Sequence, residues 1–412
     1  EELFLKVLKL DAKNSPVRLA LADLYTRQNR LDDAQGLLEN LVKGDPANSG
    51  LHFYYGEFLL GRGMGDEATA EFLETLQTDP LRHDARDIIY DMYLTRGKPD
   101  SSKKLTADLI ASHPDDPAVH YFKGRDAELA QDPKTALDSY LKAIVTMRSF
   151  APAFRRAGLI EIASGKRREG VEHLNQAVGI DPFDGGARIA LAQDAFALKD
   201  YAAAQDHVNR VLARFPRQLG ANMLRADIAL VQGDSKTATA IYQVLVQAFP
   251  ESPMGYFKLG LLAENQKDLD GAIGWYKKGI ALDRKVSLGA SRLAALTTQK
   301  YSAEKAIEEM TALINASKNS KAELRTILAT IVLTKGKPTE ADIQQSRELL
   351  DQALEERPNL LSAYYALAAV YRVQSNLTDS ASQFEKIVKL QPKQVAPRML
   401  LGITYEGMGN TK

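Results

Sequence analysis

The sequence has no cysteine, which excludes disulfides, thiol catalysis and thiolate metal sites. Its 53 basic and 53 acidic residues cancel, so it lacks the cationic field that nucleic-acid binders and polybasic membrane binders carry. Long apolar runs are missing too. The longest, from Leu360 to Tyr371, falls well short of the roughly 20 residues of a spanning helix. Glu1-Glu2 opens a helix and is not a basic signal region. The six histidines are few, and His52, His83, His173 and His207 fall at unrelated positions. No Ser/His/Asp set or carboxylate pair can be assembled around them, so the chain reads as noncatalytic and without cofactor or metal.

What is present is repetition. In Pro253–Val286, residues Tyr256, Leu259, Gly260 and Ala263 share one helical face. Ala272, Tyr276 and Gly279 share a face of a second helix beyond the turn at Lys267-Asp268. Two such helices cannot close a core alone and become stable by stacking on copies of themselves. The same unit starts at Ser15, Ser49, His83, Pro117, Ala151, Gly185, Leu219, Pro253 and Ser287, each 34 residues after the last. A tenth unit, from Lys321, is six residues longer, with the excess expected in the turn Lys335–Thr339, and an ordinary unit follows at Leu361. Residues 1–14, with Phe4, Val7 and Leu8 on their apolar face, read as a second helix without its first. Residues 395–412 read as a first helix without its second. The expected organisation is one elongated domain over 1–412, cut from a longer array and inclined to associate end to end.

The register is checked where the two helices cross, since only a small side chain lets backbones approach there. The occupants are Ala34, Ala68, Ser102, Ala136, Gly170, Ala204, Ala238, Ala272, Ala306, Ser346 and Ser380. Ala, Ser and Gly make up roughly a quarter of ordinary sequence, so chance would give this run on the order of once in a million trials. The facing position on the first helix is also small in most units, with Tyr90 and Leu328 as bulky exceptions that predict local irregularity. Proline closes most units (Pro46, Pro80, Pro114, Pro182, Pro216, Pro250, Pro358, Pro392), and Arg148, Arg284 and Lys318 replace it in three.

A 34-residue helix-turn-helix with small residues at these two positions and a closing proline resembles the tetratricopeptide repeat family, over the whole chain. The resemblance implies an all-α, right-handed superhelical solenoid of about 24 helices. It also implies a scaffold that binds protein or peptide segments in its concave groove. Long arrays of this kind resemble the repeat proteins of bacterial envelope, exopolysaccharide and exosortase systems, which implies an envelope setting on the periplasmic side. Family members that grip chaperone tails use Lys and Asn, then Asn, then Lys and Arg on three consecutive units. Here Tyr121 and Arg125 precede Arg155 and Arg156, so that activity is not expected.

Other candidates have plain structural readings. Gly61-Arg62-Gly63-Met64-Gly65 lacks the preceding strand of a phosphate loop and sits where the repeat turns. His113, Asp115, Asp116 and His120 could hold a metal in principle, but they straddle a repeat boundary where Asp116 reads as a helix cap. Trp275, beside the packing residue Tyr276, reads as buried between repeats. The first-helix face half a turn from the packing residues changes character along the chain. It is acidic at Asp23, Glu57, Asp84, Asp87 and Asp91, then basic with an aromatic at Tyr121, Arg125 and Arg155. It turns apolar at Ile189, Phe196, Met223, Leu230 and Val231, and mixed at Arg325, Leu333, Tyr365, Arg372 and Val373. A solvated face would be polar throughout, so Tyr121, Arg125, Arg155, Ile189, Phe196, Met223, Leu230 and Val231 are the expected docking residues, for an acidic amphipathic segment. Competing readings are an RNA reader, opposed by the alternating sign of the groove, and the noncatalytic part of an enzyme whose catalytic domain lies elsewhere.

Overall fold

The computed structural model describes residues 1–12, 14–282, 286–317, 321–392 and 394–409. Among them are 24 α-helices and no strand. The chain divides into two compact units, Glu1–Leu191 and Ala192–Lys412. The first holds α1 (Glu2–Leu10), α2 (Ser15–Arg27), α3 (Leu31–Gly44), α4 (Ser49–Gly61), α5 (Gly65–Thr78), α6 (His83–Thr95), α7 (Pro99–Ser112), α8 (Ala118–Leu129), α9 (Pro133–Thr146), α10 (Ala151–Ala163) and α11 (Arg167–Ile180). The division falls within α12 (Gly185–Ala197). The second unit continues with α13 (Tyr201–Arg214), α14 (Leu219–Val231), α15 (Ser235–Ala248), α16 (Pro253–Asn265), α17 (Leu269–Ala281), α18 (Val286–Lys300), α19 (Ala303–Ala316), α20 (Lys321–Thr334), α21 (Glu340–Glu356), α22 (Leu361–Val373), α23 (Leu377–Leu390) and α24 (Val395–Gly407).

Most turns within a repeat are made by one residue in the left-handed region, at Asn29, Gly63, Gly97, Gln131, Gly165, Lys199, Gly233, Lys267 and Ser375, and Gly409 follows α24 in the same conformation; the turns after α18 and α20 have none. Gly61–Gly65 is one of these turns, with Gly63 at φ +77°. Next comes a capping side chain. Asp132, Asp200, Asp234 and Asp268 each accept from the amide three residues on, which satisfies a helix-end donor.

Every small residue at the crossing position is buried. The three serines there donate to carbonyls of the facing helix: Ser102 to Tyr90 O (3.0 Å), Ser346 to Ala329 O (3.0 Å) and Ser380 to Ala368 O (3.1 Å). Opposite glycines make room for rings. A Cβ on Gly56, Gly124 or Gly260 would meet Phe72, Tyr140 or Tyr276 at 2.8, 2.6 and 2.8 Å. Where the first helix carries bulk, the exchange runs the other way: Tyr90 is fully buried, and Thr106 stands in its repeat where the others place Phe72 or Tyr140. Volume is thus conserved across the pair, and that is how a tyrosine fits at a position built for glycine.

Proline carbonyls reveal a device hidden by its chemical variety. After seven of the eight closing prolines, Pro114 being the exception, a side chain six residues on, at the fourth position of the repeat, reaches back to the proline oxygen. The pairs are His52 with Pro46 (3.0 Å), Arg86 with Pro80 (2.8 Å), Arg188 with Pro182 (2.7 Å), Asn222 with Pro216 (2.8 Å), Tyr256 with Pro250 (3.3 Å), Tyr364 with Pro358 (2.8 Å) and Arg398 with Pro392. His52 therefore occupies a repeat position with a defined role, contrary to the scattered placement read from sequence. The repeats in which Arg148, Arg284 and Lys318 replace proline carry Phe154, Ala290 and Leu324 there, none of which can donate. Arg284 and Lys318 themselves lie outside the described residues.

The long repeat distributes its extra residues differently from expectation. Its first helix α20 has 14 residues against the usual 13, and α21 has 17 against 14. Only two of the six fall in the turn; three lengthen α21. Its start is fixed by a capping box in which Thr339 accepts from the Asp342 amide and Asp342 accepts from the Thr339 amide, with Lys335 Nζ 2.8 Å from Asp342. The Lys335 ammonium and the Thr339 donors hold the Asp342 carboxyl down at about 2. A folded-state value below the unfolded one means that the stabilisation is complete above about pH 4 and is lost as pH falls toward 2. Thr339→Ala is expected to cost about 1 kcal/mol at neutral pH. Asp342→Asn should flatten the acid limb of the unfolding curve of the second unit. Helicity followed against pH checks both.

Candidate functional site

The structure turns the expected basic patch inward. Tyr121 is fully buried and Arg125 is 2% exposed, so neither offers groove surface. Their positions face the same positions one repeat away, and those carry the opposite charge. Tyr121 donates to Asp87 (2.8 Å), while Arg125 bonds both Asp87 and Asp91. Arg156 donates to the Tyr121 hydroxyl (3.2 Å) and to Glu128 (2.8 Å), and Arg155 to Asp184 (2.8 Å). Three guanidinium groups thus meet four carboxylates inside the first unit. Burial pushes the Tyr121 hydroxyl well above its usual range, and the neighbouring Asp87 carboxylate adds to the shift. For Arg125 burial opposes the charge, but Asp87, Tyr121 and Asp91 more than offset it and its pKa is raised. This ladder ties α6, α8 and α10 in register and leaves no free cation for a ligand among its arginines.

Parts of this network recur. Tyr140 and Arg156 meet on Glu128, and four repeats later Tyr276 (3.0 Å) and Arg292 (2.9 Å) meet on Glu264. His173 is paired with Glu161 at 2.7 Å, and Asp116 accepts from the Ala118 amide at 2.7 Å, as a helix cap would.

The expected apolar positions are only partly open. Ile189 is half-buried in the first unit. In the second, Phe196 is half-buried with its ring 5.5 Å from Tyr201. Met223 and Leu230 pack against the cluster of Ala226, Tyr242 and Leu259, and Val231 is half exposed. Trp275 is half-buried between two clusters, under the Lys278 ammonium at 4.6 Å from the ring centre.

A concavity lies elsewhere in the second unit, where the first helices α18, α20 and α22 pack side by side. It encloses about 1100 Å³. Ser291, Ala294, Ala295 and Thr298 form the α18 wall, and Tyr365 and Ala366 the α22 wall. Between them α20 presents Glu323, Thr326, Ile327, Thr330, Ile331 and Thr334. Ser291 and Tyr365 hold the same repeat position as Met223, and Thr298 the same as Phe196 and Leu230. The groove-facing positions read from sequence therefore recur here in later repeats, and on α18 they carry the smaller side chains of Ser291 and Thr298, which leave the space. The charged residues on this lining are paired: Glu323 with Arg357, and Lys335 with Asp342.

A tetratricopeptide repeat model matches residues 1–43, and a second such model matches 189–253, 245–286 and 339–395. These stretches are tetratricopeptide repeats, set in an all-helical array. Two curated proteins share part of this array: cellulose synthase operon protein C of Xanthomonas axonopodis pv. citri, 27% identical over 183 residues, and BBSome complex member BBS4 of Xenopus tropicalis, 25% identical over 152. The matches cover 41% and 37% of this chain but only 12% and 29% of those proteins. Among solved structures, yeast Tom70 aligns over 96% of both chains with a TM-score of 0.52 and 13% identity, a likeness of fold. Tetratricopeptide repeats are an interaction fold, and here they carry the packing rules that the register anticipated.

Proposed function

We propose that the chain is a noncatalytic scaffold that holds a segment of a partner protein in the groove of α18, α20 and α22. The observation that carries this reading is the cavity itself, which at about 1100 Å³ exceeds ordinary small-molecule pockets and is mostly apolar on a face that repeat packing would otherwise fill. Phe196, Met223, Leu230 and Val231 are proposed as a further apolar contact for a longer partner. The stretch shared with cellulose synthase operon protein C supports a role in bacterial envelope or exopolysaccharide assembly. Ala295 is exposed on the groove wall, and Ala295→Trp would fill the space without touching the core. The variant should capture the partner that co-purifies with the wild-type chain at least tenfold less well. Val244→Trp, at an exposed second-helix position, should capture it normally. Unchanged capture by Ala295→Trp, with an unchanged melting curve, would overturn the assignment.

A further inference from the structure

The chemistry of the groove narrows what it can hold. On its α20 wall the hydroxyl protons are already spent: Thr326 donates to Ala322 O (2.9 Å), Thr330 to Thr326 O (2.9 Å) and Thr334 to Thr330 O (2.7 Å). A hydroxyl has one proton, so each of these oxygens can now only accept. Glu323 adds to the pattern. One of its oxygens receives Arg357, while Oε2 is closed off from water and has no hydrogen-bond partner. An unsatisfied buried acceptor is costly, and this one lies behind the groove surface, so the accessible acceptors are the threonine oxygens. The wall is a line of acceptors.

Resting on the groove reading above, we infer that the occupant is an extended, uncharged polypeptide segment that donates its backbone N–H groups to the α20 wall. A helical occupant has spent all but its first few N–H groups internally. An extended chain presents N–H groups on one side at every second residue, about 6.6 Å apart. Thr326, Thr330 and Thr334 recur at four-residue intervals along α20, about 6 Å apart. The two spacings agree closely enough for consecutive contacts. Between the threonines, Ile327 and Ile331 offer apolar contact to side chains turned toward the wall. Charge selects in the same direction. Glu323 and Arg357 form one pair and Lys335 and Asp342 another, and Arg325 on the same helix is held by Glu356 at 2.6 Å. No net sign is left to favour an acidic or a basic segment, which also departs from the acidic segment expected from the sequence.

The test uses the full chain and a fluorescein-labelled octapeptide of alternating Ser and Val, acetylated and amidated, read by anisotropy. Companion peptides carry N-methyl groups at alternate residues, Glu or Lys in place of Ser, or a staple that locks a helix. The neutral extended peptide should bind the wild-type chain. N-methylation, or the Thr330→Val/Thr334→Val pair, should weaken binding at least tenfold, with the melting curve of the double variant unchanged. Equal binding of the N-methylated peptide, tighter binding of a charged or helical one, or no binding of the neutral peptide would each overturn the inference. If Ala295→Trp loses the natural partner while the neutral extended peptide fails to bind, the groove reading stands and the occupant is wrong.

Discussion

Replacing Arg125 with Met should destabilise the first unit by about 3 kcal/mol, the lower end of the cost of breaking a buried ion pair, because of its two partners only Asp87 is buried. Arg125 is 2% exposed and is bonded to Asp87 and Asp91; its removal leaves the buried Asp87 with Tyr121 and the more distant Arg155 (4.0 Å), while the exposed Asp91 keeps Arg156 at 3.5 Å. Tyr121→Phe removes one hydrogen bond and should cost nearer 1 kcal/mol. The informative control replaces the carboxylates as well. Arg125→Met combined with Asp87→Asn and Asp91→Asn should recover a substantial part of the loss, because neutral amides tolerate burial far better than unpaired carboxylates. Hydrogen exchange of α6, α8 and α10 reads the effect locally, which suits an array that need not unfold in one step. A loss below about 1 kcal/mol for Arg125→Met would mean that the pairs are solvated and contribute little.

The second large effect is expected where α10 and α11 cross. Gly158 and Gly170 face each other across α10 and α11, and a Cβ on either would sit 2.6 Å from the other's carbonyl oxygen. Backbone cannot swing aside as a flexible side chain can. Gly158→Val should therefore force the helices apart at roughly 1–3 kcal/mol or more, the cost of overpacking. Gly36→Ala on the exposed face of α3 meets nothing within 4 Å and should instead stabilise by up to about 1 kcal/mol through helix propensity. Thermal melting of the two variants separates packing from propensity, since propensity alone would raise stability on replacing either glycine.

The repeat was legible because stacking requires small residues at one spacing, and Ala34 through Ser380 show them without exception. What misled the reading of Tyr121 and Arg125 was to treat their face as groove surface in every repeat. The corrective signal was present: Asp87 and Asp91 stand 34 residues before Tyr121 and Arg125, so opposite charges occupy equal positions in adjacent repeats. Equal positions touch in a stacked array. The donors to the proline carbonyls escaped notice for a different reason. His52, Arg86, Asn222 and Tyr256 share a function and no chemical class, so a search by residue type passes over them. The size exchange between Tyr90 and Thr106 was also readable, but only by comparing both helices of a repeat together. The groove of α18, α20 and α22 is a matter of missing volume, and small side chains at Ser291, Ala294 and Ala295 say little until the neighbouring helices are placed.

The claim that this groove is the docking surface is tested most directly by site-specific photocrosslinking in the presence of the natural partner. A benzoylphenylalanine at Thr330, on the α20 wall, is compared with one at Val244 on α15 and one at Val145 on α9, both exposed on second helices. The partner should crosslink through Thr330, with the adducts confined to one short segment of its sequence. Crosslinking of equal yield at Val244 or Val145, or none at Thr330 while the complex is intact, would contradict the account.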